Sequence, residues 1–135
     1  MAHRFLEHTA DVQVECRGGA FEDLLREASE AFYEITLVAV RPEISVTRHL
    51  HISGRNHEEL MVRWLQELLF FLETESFVAT QYVFDEAQED CVNALLDGYI
   101  CTPDERSQEV KGIAYHGLRI EQDEEGLRAS VIFDL

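Results

Sequence analysis

The chain has 135 residues, 46% of them hydrophobic, which is enough for a single domain spanning residues 1–135 without a metal or disulfide to hold it. Its formal net charge is −16, with only 11 Lys plus Arg, so strong direct binding to nucleic acid is disfavoured, and a divalent cation or a basic protein partner fits better. No run of about 18 apolar residues predicts a membrane-spanning helix, and the charged first residues do not resemble a signal peptide.

The cysteines point to a reducing compartment. Cys16, Cys91 and Cys101 are odd in number and form no Cys-x-x-Cys pair. This pattern argues against a disulfide framework and against a structural zinc site. We therefore expect a cytoplasmic protein whose cysteines are free thiols.

The segment EHTAD at residues 7–11 comes just before the first predicted strand, residues 12–16, which alternate apolar and polar side chains. It places two ionisable groups, His8 and Asp11, around small residues. A carboxylate at the start of a strand can serve as a ligand for a hard cation, as a base or as a cap. The segment taken alone leaves all three roles open, and a purely structural role as well.

A helix is predicted from Phe21 to about Thr36, because apolar residues recur at spacings of three and four. Residues 44–52 alternate again and predict a second strand, with the even positions facing inward. His49 and His51 share the outward face of this strand. Two histidines in this arrangement can bind zinc, but no third ligand is close in sequence, so we favour exposed strand histidines.

A second amphipathic helix is predicted to run to about Leu72. Asn56, followed three residues later by Glu59, resembles a capping box at its start. The wide apolar stripe that follows is typical of a helix packed on a sheet. We therefore expect Trp64 to be an anchor of the core and not a platform for a ligand.

The remaining half of the chain is predicted to consist of strands joined by turns. The strand segments are residues 78–84, 91–101 (where Gly98 would permit a bulge), 109–120 and 127–133, with a hairpin turn at 123–126. The order β-α-β-α followed by several strands predicts an α+β two-layer domain, in which a mixed sheet carries both helices on one face.

The end of the sequence concentrates negative charge. Asp134 and the carboxylate of Leu135 directly follow an apolar strand, and Asp11 would join them if the first and last strands are neighbours. Oxygen ligands without a nearby thiolate suit Ca²⁺, which accepts six to eight oxygens in irregular geometry. Like charges held this close repel one another unless a cation binds between them.

Templates for catalysis are missing from the sequence. It contains no P-loop, no dinucleotide-binding glycine pattern and no nucleophile elbow. Lys111 and His116 are five residues apart and could face a shared cleft. A solvated lysine and a hydrogen-bonded structural histidine are equally compatible with the pattern, so we assign no catalytic residue.

Four blocks together resemble the signature blocks of the archease family. They are EHTAD at 7–11, WLQELL at 64–69, EVKGIAYH at 109–116 and VIFDL at 131–135. The blocks fall in the family's order and spacing, and the resemblance spans essentially the whole chain. The first and last blocks are specific, whereas the tryptophan helix alone would be weak.

This resemblance implies a function. Archeases are small acidic proteins that activate the tRNA-splicing RNA ligase of the type guanylylated on a histidine, promoting its guanylylation and multiple turnover. They are activators and not enzymes, and they bind a divalent cation, typically calcium. Carried over residue by residue, the metal ligands would be Asp11, Asp134 and Leu135. His8, Lys111 and His116 also match the blocks and would lie around the ion or contact the partner.

The sequence departs from the family at a few positions. Gln13 stands where glycine is frequent, Gly112 and Ala114 replace the usual alanine and threonine, and Ser107 stands near a frequent histidine. Two other functions fit the residues. One is a metal-dependent hydrolase with His8 or His116 as its base, and the other is a chaperone or modulator of a tRNA-modifying methyltransferase.

Overall fold

The computed structural model describes residues 1–6 and 11–135. In chain order, the elements are β1 (Ala2–Leu6), β2 (Asp11–Gly18), α1 (Phe21–Thr36), β3 (Val46–Ser53), α2 (His57–Glu75), β4 (Phe77–Ala87), β5 (Cys91–Ile100), a 3-10 turn (Pro103–Glu105), β6 (Gly112–Ala114), β7 (Ile120–Asp123) and β8 (Gly126–Asp134).

Both helices begin as their sequences predict. Asp23 in the first turn of α1 accepts a hydrogen bond from the backbone N–H of Ala20 at 3.1 Å, which satisfies a donor that the helix leaves unpaired. The side chain of Asn56 accepts from the N–H of Glu59 at 2.9 Å and caps α2. Helix α2 ends at Glu75, and the residue that caps it, Ser76, is left-handed with a φ of 57°.

The strands form two antiparallel sheets. In the larger sheet the order is β1-β2-β8-β6, and β7 pairs with the same edge of β8 as β6 does, nearer the start of β8. In the smaller sheet the order is β3-β5-β4. The α+β class is therefore confirmed, but two antiparallel sheets take the place of the single mixed sheet we expected.

The helices join the two sheets into one core. Helix α1 packs on β2, β8 and β4, while α2 packs on β3, β4 and β6, and the helices also contact each other. Trp64 is completely buried, which confirms its predicted role as a core anchor. Among the described residues, no helix combines the length and apolar character needed to cross a membrane.

The strand predictions differ from the structure in three places. Strand β1 was not predicted, because most of its residues are exposed and show no hydrophobic alternation. The predicted strand at 109–120 is broken by a turn between β6 and β7. The irregularities lie in β4 and not at Gly98, and there are two of them. Thr80 is the extra residue between the pairs Ala79–Gly98 and Gln81–Asp97, and Asp85 is the extra residue between Phe84–Ala94 and Glu86–Asn93.

Other predictions concern single residues. His49 and His51 are exposed, as expected, and His49 contacts the side-chain oxygen of Asn93 on β5. The three cysteines all lie in the described part of the chain and are free thiols, two of them buried. Burial raises the pKa of the Cys16 thiol to about 12, so this residue behaves as a small apolar side chain.

Candidate metal centre

Strands β2 and β8 run side by side, and their pairing brings the two predicted aspartates together. Asp11 is the direct cross-strand partner of Asp134, at the end of a ladder that continues through Val12 opposite Phe133. Side chains of residues directly opposite in an antiparallel pair have Cβ atoms about 4.5–5.5 Å apart and lie on the same face. The two carboxylates, more than a hundred residues apart in sequence, are therefore neighbours.

Alternation along both strands places these aspartates on the face turned away from the helices. Val14, Val131 and Phe133 point into the core and are completely buried. Asp11 and Asp134 point the other way and are half-buried. The carboxylates are thus reachable from solvent while the core beneath them holds their backbones in register.

Strand β6 completes the surroundings of Asp134. Gly112 pairs with Asp134 on the side opposite to Asp11, and the backbone N–H of Lys111 donates to the carbonyl oxygen of Asp134 at 2.7 Å. A methyl group at position 112 would lie 3.9 Å from the Asp134 carboxylate, an ordinary contact. The alanine that is usual in the family would fit here, so this departure leaves the arrangement intact.

Gln13, which stands where glycine is frequent in the family, has a hydrogen-bond partner in the structure. The side-chain amide of Gln13 donates to the hydroxyl of Ser130 at 2.7 Å, on the same outer face of β2 and β8 as the aspartates. A side chain longer than glycine is therefore accommodated next to Asp11 by a bond to the neighbouring strand.

The structure brings Leu135 and Lys111 close to Asp134, but it does not bring His116 there, because β6 runs away from Asp134 toward Ala114, which faces Ile132. Leu135 follows Asp134 directly, is half-buried and packs against the core. The Lys111 side chain is exposed just before β6, and His116 is exposed in the turn after it. His8 lies outside the described residues.

Tyr115, which sequence reasoning left without a role, connects the His116 turn to α2. Its hydroxyl donates to the Glu59 carboxylate at 3.3 Å. Hydrogen bonding from Arg55 holds the pKa of Glu59 below its usual value, so this acceptor is ionised at neutral pH. The only sequence signal for this contact was that Tyr115 belongs to the third block.

The donors brought together here are oxygens. Two carboxylates paired across β2 and β8 are hard ligands of the kind that Ca²⁺ and Mg²⁺ prefer. Ca²⁺ fits better, because it tolerates irregular geometry and fills its remaining positions with water and backbone oxygens.

Comparisons with known proteins agree with the four blocks. The family described as "Archease protein family (MTH1598/TM1083)" matches residues 3–135. The protein named archease from Archaeoglobus fulgidus is 30% identical over 141 residues, covering 100% of both chains. The archease of Methanosarcina mazei is 26% identical over 139 residues, covering 98% of this chain and 95% of its own.

Solved structures share the fold. The solution structure of protein 1598 from Methanobacterium thermoautotrophicum superposes with a TM-score of 0.79 at 27% identity, covering 98% of each chain. A Thermotoga maritima crystal structure, described as an archease and possible chaperone, gives a TM-score of 0.68 at 22% identity over 96% of this chain and 94% of its own. With a family match over residues 3–135 and a relative 30% identical along its whole length, the chain belongs to the archease family.

Proposed function

We propose that this protein is a cytosolic activator of the tRNA-splicing RNA ligase that is guanylylated on a histidine. In this role it promotes guanylylation and multiple turnover of the ligase and catalyses no reaction itself. It carries a divalent cation, Ca²⁺ or another, at Asp11, Asp134 and Leu135. The observation that carries the proposal is the cross-strand pairing of Asp11 with Asp134 in a chain of the archease family.

The strand pairing supports the cation site because it places two acidic residues directly opposite each other. The sheet neighbours of Asp134 are Asp11 on β2 and Gly112 on β6. Like charges placed directly opposite in a sheet are destabilising, so such a pair persists more easily where a cation binds. When bound, the ion would supply positive charge at the rim of a strongly acidic protein.

The charge balance supports a protein partner over free RNA. A net charge of −16 repels phosphates, whereas the cleft of an enzyme that handles RNA and nucleotides is basic. Electrostatic attraction would steer the acidic protein toward such a cleft. Lys111, next to the aspartates, and His116, in the following turn, are exposed and would contact the ligase there. Free thiols at all three cysteines agree with a reducing cytosol.

Single-turnover guanylylation of a cognate ligase tests the proposal. We expect wild-type protein to accelerate the reaction and an Asp134→Asn variant to lose most of the acceleration. The matched control is Asp85→Asn, the same chemical change at an exposed position of β4 in the other sheet. Failure of the folded wild-type protein to accelerate guanylylation would overturn the activator role.

A capture experiment separates the ligase from other partners. When a lysate of its own organism is passed over the immobilised protein, the protein should retain the ligase. Retention of a tRNA methyltransferase without the ligase would favour the modulator alternative. Turnover of a model phosphoester that disappears in Asp11→Asn would favour the hydrolase alternative and contradict the proposal that the protein only activates.

The part assigned to Leu135 has its own test. Residues appended after Leu135 would convert its carboxyl group into a neutral amide and crowd the ion. We expect the extension to weaken calcium binding by about tenfold or more, because calcium affinity follows the count of charged ligands. Unchanged affinity would remove Leu135 from the ligands and leave Asp11 and Asp134 in place.

A further inference from the structure

A second group of metal-ligating side chains lies away from the aspartates, where β1 crosses α1. It contains His3 from β1 together with Glu27 and Glu30 from α1. One ring nitrogen of His3 and one oxygen from each carboxylate all lie within 4.8 Å of one another. Among residues 1–6 and 11–135, no other group of three or more His, Cys, Asp or Glu side chains brings its ligand atoms this close together.

Both nitrogens of the His3 ring are engaged. Nδ1 lies 2.6 Å from Oε1 of Glu27, and Nε2 lies 3.2 Å from Oε1 of Glu34. Glu27, Glu30 and Glu34 follow one another at spacings of three and four, so α1 presents them along one face. Glu27 is only 5% exposed, whereas Glu30 is exposed to solvent. The cluster is thus partly buried but open on one side.

The cluster carries an excess of negative charge. Three carboxylates surround one imidazole, so protonation of His3 neutralises only one of them. Partial burial, reinforced by the nearby charge of Glu27, raises the pKa of Glu30 above its usual value. A divalent cation at this place would neutralise the charge that His3 leaves unbalanced.

We infer that Nδ1 of His3 and the carboxylates of Glu27 and Glu30 form a binding site for a divalent transition metal of the zinc type. One imidazole nitrogen and two carboxylate oxygens are ligands that Zn²⁺ accepts, whereas Ca²⁺ takes oxygen only. The site is therefore separate in position and in chemistry from the all-oxygen centre at Asp11 and Asp134.

The geometry requires small adjustments. Zn²⁺ with ligands at about 2.0–2.1 Å separates neighbouring ligand atoms by roughly 3.3 Å in a tetrahedron. The pair formed by His3 and Glu27 would open slightly, and the exposed side chain of Glu30 would close in. The ion would replace the proton that now lies between Nδ1 and Glu27, and water would take the fourth position.

Glu34 has a positioning role in this site. With Nδ1 on the metal, Nε2 carries the proton and donates it to Glu34, an arrangement of carboxylate, histidine and metal that orients the ring. Loss of such an orienting carboxylate typically weakens metal binding about 10–100-fold. Metal binding would also clamp β1, which pairs with β2 at the edge of the larger sheet, onto α1.

Calorimetric titration with Zn²⁺ tests the site. We expect His3→Ala and Glu30→Gln to weaken binding at least about tenfold, and Glu34→Gln to weaken it by about tenfold. The matched control removes His49 and His51, two exposed histidines on β3 that could also bind zinc, by a His49→Ala, His51→Ala double substitution. This control should bind as the wild type does. If the control loses the binding while His3→Ala retains it, the site is overturned.

Two further measurements keep the test clear of folding defects and of the calcium centre. Glu30 is exposed and has no part in the contact between His3 and Glu27, so Glu30→Gln should stay folded and should not unfold at a lower temperature than the wild type. Unchanged zinc affinity in this folded variant would contradict the proposal. Asp134→Asn should leave zinc affinity unaltered. A loss of zinc affinity in this variant would show that zinc binds at Asp11 and Asp134 instead, and it would contradict the proposal. In the wild type, Zn²⁺ should slow amide exchange in β1, and no slowing would also count against the site.

Discussion

Asp11 of β2 and Asp134 of β8 face each other directly across two antiparallel strands, with their side chains on the solvent side of the larger sheet. The pairing joins residues from opposite ends of the sequence. Its register is imposed by the apolar residues on the other face, because a shift of one position would expose Val131 and Phe133. The core therefore holds two like charges together.

This pairing predicts that the difference in stability between the Asp134→Asn variant and the wild type reverses when calcium binds. Without divalent cation, the variant should be more stable than the wild type by about 0.2–1 kcal/mol, because the pair of like charges is removed. At a calcium concentration of 100 times the dissociation constant, the wild type should gain about 2.7 kcal/mol and become the more stable protein. Urea unfolding with chelator and with calcium measures both values. Asp85→Asn is the control, and an equal calcium gain in Asp134→Asn and wild type would contradict the site.

The contact between the two helices predicts a stability loss in Ser29→Ala. The indole N–H of Trp64 donates to the buried Ser29 hydroxyl at 2.8 Å, and this hydroxyl donates in turn to the carbonyl of Leu25 at 2.6 Å. Removing the acceptor leaves a buried donor unpaired, so we expect a loss of about 1–3 kcal/mol in the free energy of unfolding. Urea unfolding followed by circular dichroism provides the measurement.

Thr74→Ala is the matched control for Ser29→Ala. The Thr74 hydroxyl makes the same kind of bond, to the carbonyl of Phe70 at 2.7 Å, but on the exposed side of α2. Its removal should change the free energy of unfolding by less than about 0.5 kcal/mol. Equal losses in the two variants would show that burial of the donor is not the cause.

The close approach of β4 to Gly98, next to the irregularity at Thr80, predicts that alanine is poorly tolerated at position 98. A methyl group on Gly98 would lie 1.7 Å from the carbonyl oxygen of Val78, so the strands would have to separate. We expect Gly98→Ala to lose about 1–3 kcal/mol or more. Thermal unfolding compared with Gly19→Ala tests this, because a methyl at Gly19 would meet only the Asp23 carboxylate at 3.7 Å. Similar melting temperatures for the two variants would contradict the close approach of β4.

The lowered pKa of Glu105 predicts how the free energy of unfolding changes with pH. Hydrogen bonds from Arg41, together with the backbone N–H of Thr102, lower its pKa from 4.5 to about 2. Since the folded pKa is below the unfolded one, the interaction stabilises the fold above about pH 4.5 and is lost as the pH falls toward 2.

When the pH falls from 6 to 3, the free energy of unfolding should therefore decrease less in Glu105→Gln than in the wild type. Urea midpoints at the two pH values give the comparison. Glu124→Gln, a substitution in the exposed turn before β8, should follow the wild type. A Glu105→Gln variant whose loss on acidification equals that of the wild type would contradict the ion pair with Arg41.

The sequence by itself determined the local elements. Both helices were predicted close to their observed ends, because a helix is specified by residues three and four apart and by caps such as Asn56, all close in sequence. Strand β3, the hairpin into β8 and the burial of Trp64 followed from alternation, turn residues and apolar stripes in the same way. The resemblance of the four blocks to archease identified the family.

Only the tertiary structure decided which distant residues meet. The division into two sheets, the pairing of Asp11 with Asp134 and the placement of Thr80 as an extra residue all depend on strand partners far apart in sequence. His3 and Glu27 are 24 residues apart and meet because β1 joins the sheet that α1 covers, although β1 has no hydrophobic alternation of its own. A strand's pattern shows which face is buried, but its partner is chosen by the packing of the whole core.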